Sequence, residues 1–455
     1  MLTWRVPALT GVLGAAALTL GGWLLSPVGM WWALAAAVAV VAVLTGLDLL
    51  AAAPAGEVRL VRSGPRQVRL GESAEVTLTV TNVSLRMLRA LVRDAWVPSA
   101  GAAQPYAHVV QLEPGESADV VTTLTPTRRG DRPAARVTIR SYGPLGLAFR
   151  QTGRRRAAAL TPPWTLTALP PFTSRRFLPE KLSRLRVIDG RTVARGRGQG
   201  TEFDSLREYV IGDDVRSIDW RGTARREHVV VKTWRPERDR RVLCVLDTGR
   251  TSAGRVGTVG GPGEPARPGE PRLDAAIDAA LLLAALAAHA DDRVDLLAVD
   301  TLVRANVSSS IRRSQLHRLT QALAGLTPAL VETDFGRIVA EVLRVARKRS
   351  LVVLFTTLDA GALGEGLLPV LPQLVSRHTV LVAAVHDPSL EALAARRGGP
   401  ADLHTAAAAE RTLAELHRVR AALTRYNVQV VDAPVETFAG AVADRYLALK
   451  AAGRL

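Results

Sequence analysis

The hydrophobic and polar positions of the chain follow three successive patterns, and the first is a long uncharged stretch. Residues 6–47 contain no charged side chain, and glycine, serine and proline interrupt the apolar run near its middle. A helix needs about 20 apolar residues to cross the hydrocarbon core of a bilayer. Residues 1–52 are therefore predicted to form a transmembrane helical hairpin with spans over about 6–25 and 29–47.

The charges that flank this hairpin predict its orientation. Arg5 precedes the first span, Arg59, Arg62 and Arg66 follow the second, and the connecting loop is uncharged. Basic residues favour the cytoplasmic side of a membrane. We therefore expect a multi-pass protein of the cell membrane with cytoplasmic soluble domains. A cleaved signal peptide is the alternative, but no polar cleavage region separates the two apolar runs.

The second pattern is an alternation of apolar and polar residues over residues 57–161. Segments such as EVTLTVTN, in which Val76, Leu78 and Val80 point to one side, are separated by turns that contain glycine and proline. Short strands with a period of two at this spacing are typical of a small sandwich of two sheets. We predict an antiparallel β-sandwich domain here.

The third pattern begins after a segment of paired charges, residues 162–240, which is predicted to be a connector. From residue 241 onward apolar strands alternate with helices, beginning with the strand at 241–247 and an alanine- and leucine-rich helix from about residue 273 to 290. Such alternation predicts an α/β doubly wound domain with a parallel sheet over 241–455.

Composition narrows the classes of function. The chain has 455 residues, enough for two or three domains, and a formal net charge of +17 that is carried almost entirely by arginine. A basic chain can attract nucleic acid or an anionic membrane. The arginines are interleaved with acids, and no basic recognition helix or aromatic RNA-binding signature occurs. This favours the membrane and predicts no nucleic-acid partner.

Motifs for catalysis are absent from the sequence. It contains no Walker A, H-E-x-x-H or G-x-S-x-G motif, and its single cysteine, Cys244, lies inside an apolar strand. We therefore predict that the protein is not an enzyme and that any ATP hydrolysis comes from a partner.

Oxygen-bearing side chains follow the predicted strands at one edge of the sheet. Asp247 ends the first strand and Thr251 follows it, Thr333 precedes a helix, and Asp359 follows the strand at 350–356. Ligands of doubly wound sheets bind at the carboxyl ends of the strands. Carboxylate and hydroxyl oxygens suit a hard cation such as Mg²⁺ or Mn²⁺. These four residues are the candidate metal ligands.

This order of residues resembles the von Willebrand factor type A fold and its metal-ion-dependent adhesion site, whose pattern is Asp-x-Ser-x-Ser, then Thr, then Asp. The resemblance matches Asp247, Thr251, Thr333 and Asp359 to that pattern in turn. Glycine at position 249 stands where the pattern has its middle serine, and a positively charged arginine follows it. The residues leave two alternatives open, a metal site and a vestigial, structural rim.

The charged segment resembles the family called domain of unknown function 58. The resemblance is carried by GTEFDSLREYVIGDDVRSIDWRGTARREHVVVKTWRPERDR, together with RRGDRPAARVTIRSYGPLGLAFR upstream, and it extends over most of the chain. It implies association with MoxR-type AAA+ ATPases and with transglutaminase-like membrane proteins.

Two interpretations of the charged segment stay open. Its charges can form a solvated, salt-bridged connector, in which each exposed pair contributes about 0–1 kcal/mol. Alternatively, it is a docking surface with Trp220 and Arg221 as anchors, because Trp and Arg dominate interface hot spots. The candidate partner-binding residues are Trp220, Arg221, Asp219 and Arg216.

These observations predict a membrane-anchored, non-enzymatic interaction or adaptor protein. Its expected partner is a MoxR-type AAA+ ATPase, with which it acts in the assembly or maturation of other proteins. One alternative is a metal-dependent hydrolase that uses the rim, although no general base is evident. The other is a nucleic-acid-binding protein, which would show affinity that depends steeply on salt.

Overall fold

The computed structural model describes residues 1–24, 27–195, 202–211, 213–225, 228–235, 240–259, 267–308 and 312–455. Within this part, the chain forms two compact units, Met1–Leu169 and Pro170–Leu455.

Two apolar helices begin the first unit, α1 (Arg5–Leu24) and α2 (Pro27–Ala51), and they pack against each other. By length and composition, one described helical segment can cross a membrane, Val28–Ala51, with a mean hydropathy of 2.3. The apolar segment of the first helix, Arg5–Thr19, is shorter. The first predicted span, over about 6–25, therefore stays a prediction.

The rest of the first unit is rich in sheet. Its strands are β1 (Val58–Ser63), β2 (Gln67–Arg69), β3 (Ala74–Asn82), β4 (Leu88–Trp96), β5 (His108–Leu112), β6 (Ser117–Leu124), β7 (Gly130–Tyr142), β8 (Phe149–Gln151) and β9 (Thr165–Leu169), with helix α3 at Arg154–Leu160. They form two sheets, ordered β1-β3-β6 and β2-β9-β7-β4-β5, with β8 paired to β7.

Both sheets contribute to one hydrophobic cluster. Leu78 and Val80 of β3 join Val92 of β4 and Ile139 of β7 in it, so the predicted alternation in β3 does bury one side of that strand. Two features differ from the prediction. The pairing of β2 with β9 is parallel, and β9 lies within the segment predicted to be a connector. The sheet extends past residue 161 because β9 also pairs with β7.

The second unit contains a larger sheet and its helices. Its strands are β10 (Glu202–Glu208), β11 (Val230–Arg235), β12 (Arg241–Asp247), β13 (Arg255–Val259), β14 (Arg267–Pro271), β15 (Arg293–Val299), β16 (Val303–Val307), β17 (Leu351–Phe355), β18 (Thr379–Val385) and β19 (Gln429–Ala433). Its helices are α4 (Leu178–Arg195), α5 (Trp220–Thr223), α6 (Arg272–His289), α7 (Arg312–Ala324), α8 (Phe335–Val345), α9 (Leu371–Val375), α10 (Ser389–Ala394), α11 (Pro400–Arg425) and α12 (Val435–Ala451).

The main sheet has the order β16-β15-β12-β17-β18-β19, in which only the edge strand β16 is antiparallel. Strands such as β17 and β18 are apolar and buried on both faces, as parallel strands covered by helices are. Helices α6 and α12 pack on one face, and α8, α9 and α11 pack on the other. The predicted doubly wound α/β domain is confirmed. The strand order reverses between β12 and β17, where ligands of such sheets bind.

The segment predicted to be a connector contains regular secondary structure. It contains α4, whose Leu185 joins the core around α6 and α12 and whose Lys181 pairs with Asp444 of α12 at 2.9 Å. It also contains a two-stranded antiparallel ribbon of β10 and β11. Residues 196–201, 212, 226–227 and 236–239 of this segment lie outside the described part of the chain.

Candidate functional site

Asp247 lies at the carboxyl end of β12, at the point where the sheet order reverses. The strand is apolar and buried up to Leu246, so it carries the next residue, the aspartate, to the edge of the sheet. The side chain of Asp247 does not project into solvent, since only 3% of the residue is exposed. We call Asp247 and the loops that contact it the rim.

Donors from three loops surround this carboxylate. Its Oδ1 accepts hydrogen bonds from the backbone N–H of Gly249 at 2.8 Å and from the Thr333 hydroxyl at 2.6 Å. Its Oδ2 accepts from the Thr356 hydroxyl at 2.7 Å and, at 3.5 Å, from that of Thr251. Asp247 therefore joins the loop after β12, the loop before α8 and the loop after β17.

The structure brings Asp247, Thr251 and Thr333 together as their pattern predicts, and it adds Thr356. Thr356 is the first residue after the apolar run of β17, and the type A pattern did not select it as one of the four candidate ligands. Burial raises the pKa of Asp247, and the hydrogen bonds from Thr333, Thr356 and Gly249 offset this only in part.

No hydrogen bond joins Asp359 to Asp247 in the described part of the chain. Strand β17 ends at Phe355, and Asp359 follows four residues later, where its Oδ1 accepts a hydrogen bond from the backbone N–H of Ala362 at 2.8 Å. It lines an adjacent cavity of about 170 Å³ together with Arg272 and His386. Its assignment as a metal ligand stays a prediction. The residue after β17 that contacts Asp247 is Thr356.

Gly249 makes the close packing of the rim possible. A Cβ atom at this position would lie 2.0 Å from Thr333 Oγ1, 3.0 Å from the Val331 carbonyl oxygen and 3.2 Å from Asp247 Oδ1. The backbone here is extended, with φ −73°, so space rather than backbone conformation excludes a side chain. The hydroxyl of Thr333 fills the place that a serine at 249 would need.

The donor set does not fit Mg²⁺ or Mn²⁺. These cations need several oxygen ligands directed at one point, but the hydroxyls of Thr333 and Thr356 are directed at the Asp247 carboxylate itself. Beside the rim, Arg250 adds positive charge and pairs with Glu332 at 2.7 Å. In the part of the chain that the structure describes, no group of three or more His, Cys, Asp or Glu side chains is placed to hold a metal ion.

A second buried carboxylate, Asp300, supports the rim from the side of β15. It accepts hydrogen bonds from the Thr248 hydroxyl at 2.9 Å, the Leu302 backbone N–H at 2.9 Å and Arg304 Nε at 2.6 Å. Burial alone would raise the pKa of Asp300, but the bonds from Arg304, Leu302 and Thr248 outweigh it and hold the pKa at about 2. No pattern in the sequence indicates this network, because it depends on which loops meet.

The ribbon of β10 and β11 holds the candidate partner-binding residues. Arg207 pairs with both carboxylate oxygens of Asp213, at 2.7 and 2.5 Å, and this bidentate pair holds the loop after β10. The backbone N–H of Tyr209 donates to Val229, and that of Asp219 donates to Val230. Two loops therefore meet at adjacent residues at the start of β11.

Large apolar side chains project from these two loops. Ile211 is 96% exposed and Trp220 is 66% exposed, and Val210 and Val215 are exposed as well. We call these four residues the ribbon surface. Trp220 begins α5 and is followed by Arg221, the other predicted anchor. The Asp219 carboxylate lies 3.7 Å from Lys232 Nζ of β11. Arg216 follows Asp214, whose carboxylate accepts from the Arg216 backbone N–H.

A six-stranded sheet in this order, with helices on both faces and an aspartate and threonines at the end of its central strand, defines a von Willebrand type A-like domain. The sequence model of the family described as "Protein of unknown function DUF58" matches residues 205–431, from the ribbon to β19. The chain belongs to this family.

Uncharacterized proteins of Mycobacterium tuberculosis and Mycobacterium bovis are each 26% identical to this chain over 205 residues, which is 44% of this chain and 60% of theirs. The chain therefore matches less than two thirds of these relatives.

Among solved structures, the SpRpn10 VWA domain is 11% identical, with a TM-score of 0.25, over 45% of this chain and 94% of that one. The α-2-macroglobulin of Escherichia coli is 19% identical, with a TM-score of 0.20, over 26% of this chain and 17% of that one. Such scores carry no functional argument, and the fold follows from the strand order.

Proposed function

We propose that this protein is a membrane-anchored interaction or adaptor protein without catalytic activity of its own, and that it works with a MoxR-type AAA+ ATPase in the assembly or maturation of partner proteins. The observation that carries the proposal is the ribbon surface, which lies in the region that defines the family. The choice of ATPase follows from the family resemblance of the sequence.

The ribbon surface has the chemistry of an interface. Clustered apolar side chains on a soluble surface mark sites of interaction, and tryptophan is enriched among the residues that dominate binding energy. The ion pair of Arg207 with Asp213 holds the loop that carries Ile211, and the hydrogen bond from the Asp219 N–H to Val230 holds the residue before Trp220. A partner therefore meets a preorganised surface, which lowers the entropy lost on binding.

The rim is proposed to have a structural role in this function. Its carboxylate is buried and accepts hydrogen bonds from three loops, so it holds the carboxyl end of the sheet together. Interaction through the ribbon surface then needs no metal ion at Asp247.

The membrane anchor is proposed to be the hairpin of α1 and α2, with both ends and the soluble units in the cytoplasm. Arg5 at the start of α1 donates to the Leu145 carbonyl at 3.2 Å, and Asp48 near the end of α2 accepts from the Leu147 N–H at 2.7 Å. The two helix ends therefore lie at one loop, as a hairpin requires. The two sheets that share a core are taken to form the β-sandwich domain beside it.

The test is the affinity of the full-length protein, reconstituted in nanodiscs, for the purified MoxR-type ATPase of the same organism. Trp220→Ala is expected to weaken binding about 30-fold, because loss of a hot-spot tryptophan removes about 2 kcal/mol or more. Tyr426→Ala is the matched control, since Tyr426 is an exposed aromatic residue of the same unit that is remote in sequence from the ribbon.

Equal affinity of the Trp220→Ala variant and the wild type would reject the ribbon surface as the interface. Absence of binding by the wild type would reject the ATPase as the partner. Alkaline carbonate extraction of membranes tests the anchor separately, because a hairpin that spans the bilayer stays in the membrane pellet.

A further inference from the structure

We propose that the end of Met1–Leu169 from which the apolar helices emerge is a second membrane-binding surface, which binds the headgroups of anionic phospholipids and inserts apolar side chains at the membrane interface. This inference rests on the proposed membrane anchor. The surface consists of the arginines Arg5, Arg86, Arg89 and Arg150 and the apolar residues Leu85, Met87 and Leu145, and we call it the collar.

One loop of the collar is fixed to the last turns of α2. The carboxylate of Asp48, which is 1% exposed, accepts hydrogen bonds from the backbone N–H groups of Leu145, Leu147 and Ala148 at 2.7, 2.7 and 2.9 Å. The approach is so close that a Cβ atom at Gly143 would lie 2.2 Å from Asp48 Oδ1. Leu145 is therefore held beside the end of the helix.

The second loop connects β3 to β4 and reaches the same turn of α2. Arg86 donates a hydrogen bond to the Leu50 carbonyl, and Arg150 of β8 donates to the Leu49 carbonyl at 3.0 Å. Arg89 donates to the Pro144 carbonyl at 3.2 Å and so links the two loops. Both loops thus surround the point where α2 ends.

Apolar side chains of these loops face away from the protein. Leu85 is 95% exposed, Leu145 is 52% exposed, and Met87 is also exposed. Apolar residues interleaved with arginines are the composition of surfaces that lie in the interface of a bilayer. Contact with acyl chains would remove these side chains from water.

The arginines of the collar keep their charge available. Arg5, Arg86, Arg89 and Arg150 donate to backbone carbonyls, and in the described part of the chain none of them pairs with a carboxylate. A basic residue near an anionic leaflet is attracted to its negative surface potential. The collar lies at the end of an apolar helix, so the headgroup region is its nearest partner.

The test is made on the full-length protein in vesicles. Leu85→Cys is labelled with the environment-sensitive fluorophore NBD. The native cysteine, Cys244, is buried and is replaced by Ala, so that the label attaches at position 85. Tyr106→Cys is the matched control. Tyr106 is exposed and lies just before β5, which begins at His108 opposite Val92. The other end of β5 pairs with Leu88 beside the collar, so Tyr106 lies at the end of this strand away from the collar.

A label at position 85 is expected to emit at shorter wavelength than one at 106 and to be quenched roughly threefold more strongly by spin-labelled lipid, as an apolar side chain in the interface would be. Equal quenching at the two positions would overturn the proposal.

The charge requirement is tested by comparing vesicles of phosphatidylcholine with vesicles that also contain phosphatidylglycerol. The anionic lipid is expected to increase quenching at position 85, and Arg86→Gln with Arg89→Gln is expected to abolish the increase. The matched control is Arg128→Gln with Arg136→Gln, which removes two exposed arginines from other parts of the same unit. No increase in the wild type, or equal loss in both double variants, would overturn the binding of anionic headgroups.

Carbonate extraction of the same samples separates the two proposals. If the protein is released from the membrane, the anchor itself is wrong. If the protein is retained while the label at 85 behaves as the label at 106, only the collar is wrong.

Discussion

The rim and the ribbon lie in the same unit and both contain charged side chains, but these side chains have different roles. At the rim the carboxylate of Asp247 is buried and accepts hydrogen bonds from three loops, whereas in the ribbon charged side chains such as Arg207 and Asp213 pair with one another, and Ile211 and Trp220 are exposed. An aspartate at the end of a strand is therefore not sufficient to indicate a ligand site. The groups that contact its oxygens decide whether the aspartate is free to bind a ligand.

The largest effect is expected from removing the carboxylate at the rim. Asp247→Ala should lower the free energy of unfolding by about 3–4 kcal/mol, because it leaves the Gly249 N–H and the hydroxyls of Thr333 and Thr356 without their acceptor. Urea denaturation of the full-length protein in detergent measures this change in the free energy of unfolding.

Asp359→Ala is the matched control and should lower stability by less than about 1 kcal/mol, because only a capping hydrogen bond is lost. Equal effects of the two variants would contradict the difference between these aspartates.

A side chain at position 249 should disturb the rim nearly as much. Gly249→Ser is expected to destabilise the protein by about 2–3 kcal/mol, because its Cβ would meet Thr333 Oγ1 at 2.0 Å. The double variant with Thr333→Ala should recover at least half of the loss, since the new hydroxyl takes the vacated space. A double-mutant cycle measures this coupling, and strictly additive effects would show that the two residues do not compete for one space.

Asp300 predicts a pH dependence with a defined sign. Its pKa is about 2 in the folded protein against 3.8 as the usual value, so its ionised form stabilises the fold above about pH 4, and this contribution is lost as the pH falls toward 2. The difference in stability between the wild type and Asp300→Asn should therefore shrink by about 2 kcal/mol over that range. Asp247 should act in the opposite direction, because its pKa is raised. A constant difference between wild type and Asp300→Asn would refute the assignment.

The doubly wound sheet could be predicted from the sequence because strands such as β17 are apolar throughout and are separated from one another by helical patterns. Asp247, Thr251 and Thr333 followed from their positions at strand and helix ends. The side chain after β17 that contacts Asp247 depends on where this strand ends, and with the end at Phe355 the contact is made by Thr356. Helix α4 was missed because the contact of Leu185 with the core of the sheet is a tertiary interaction.

The most direct test of the self-contained rim is a titration of the full-length protein in neutral detergent with Mg²⁺ and Mn²⁺, followed by calorimetry and thermal unfolding. A self-contained rim is expected to show no saturable binding and an unfolding midpoint that stays unchanged. A working site would stabilise the fold by about 2.7 kcal/mol at a metal concentration 100 times its dissociation constant. Stoichiometric binding that Asp247→Asn abolishes would contradict a rim that needs no metal.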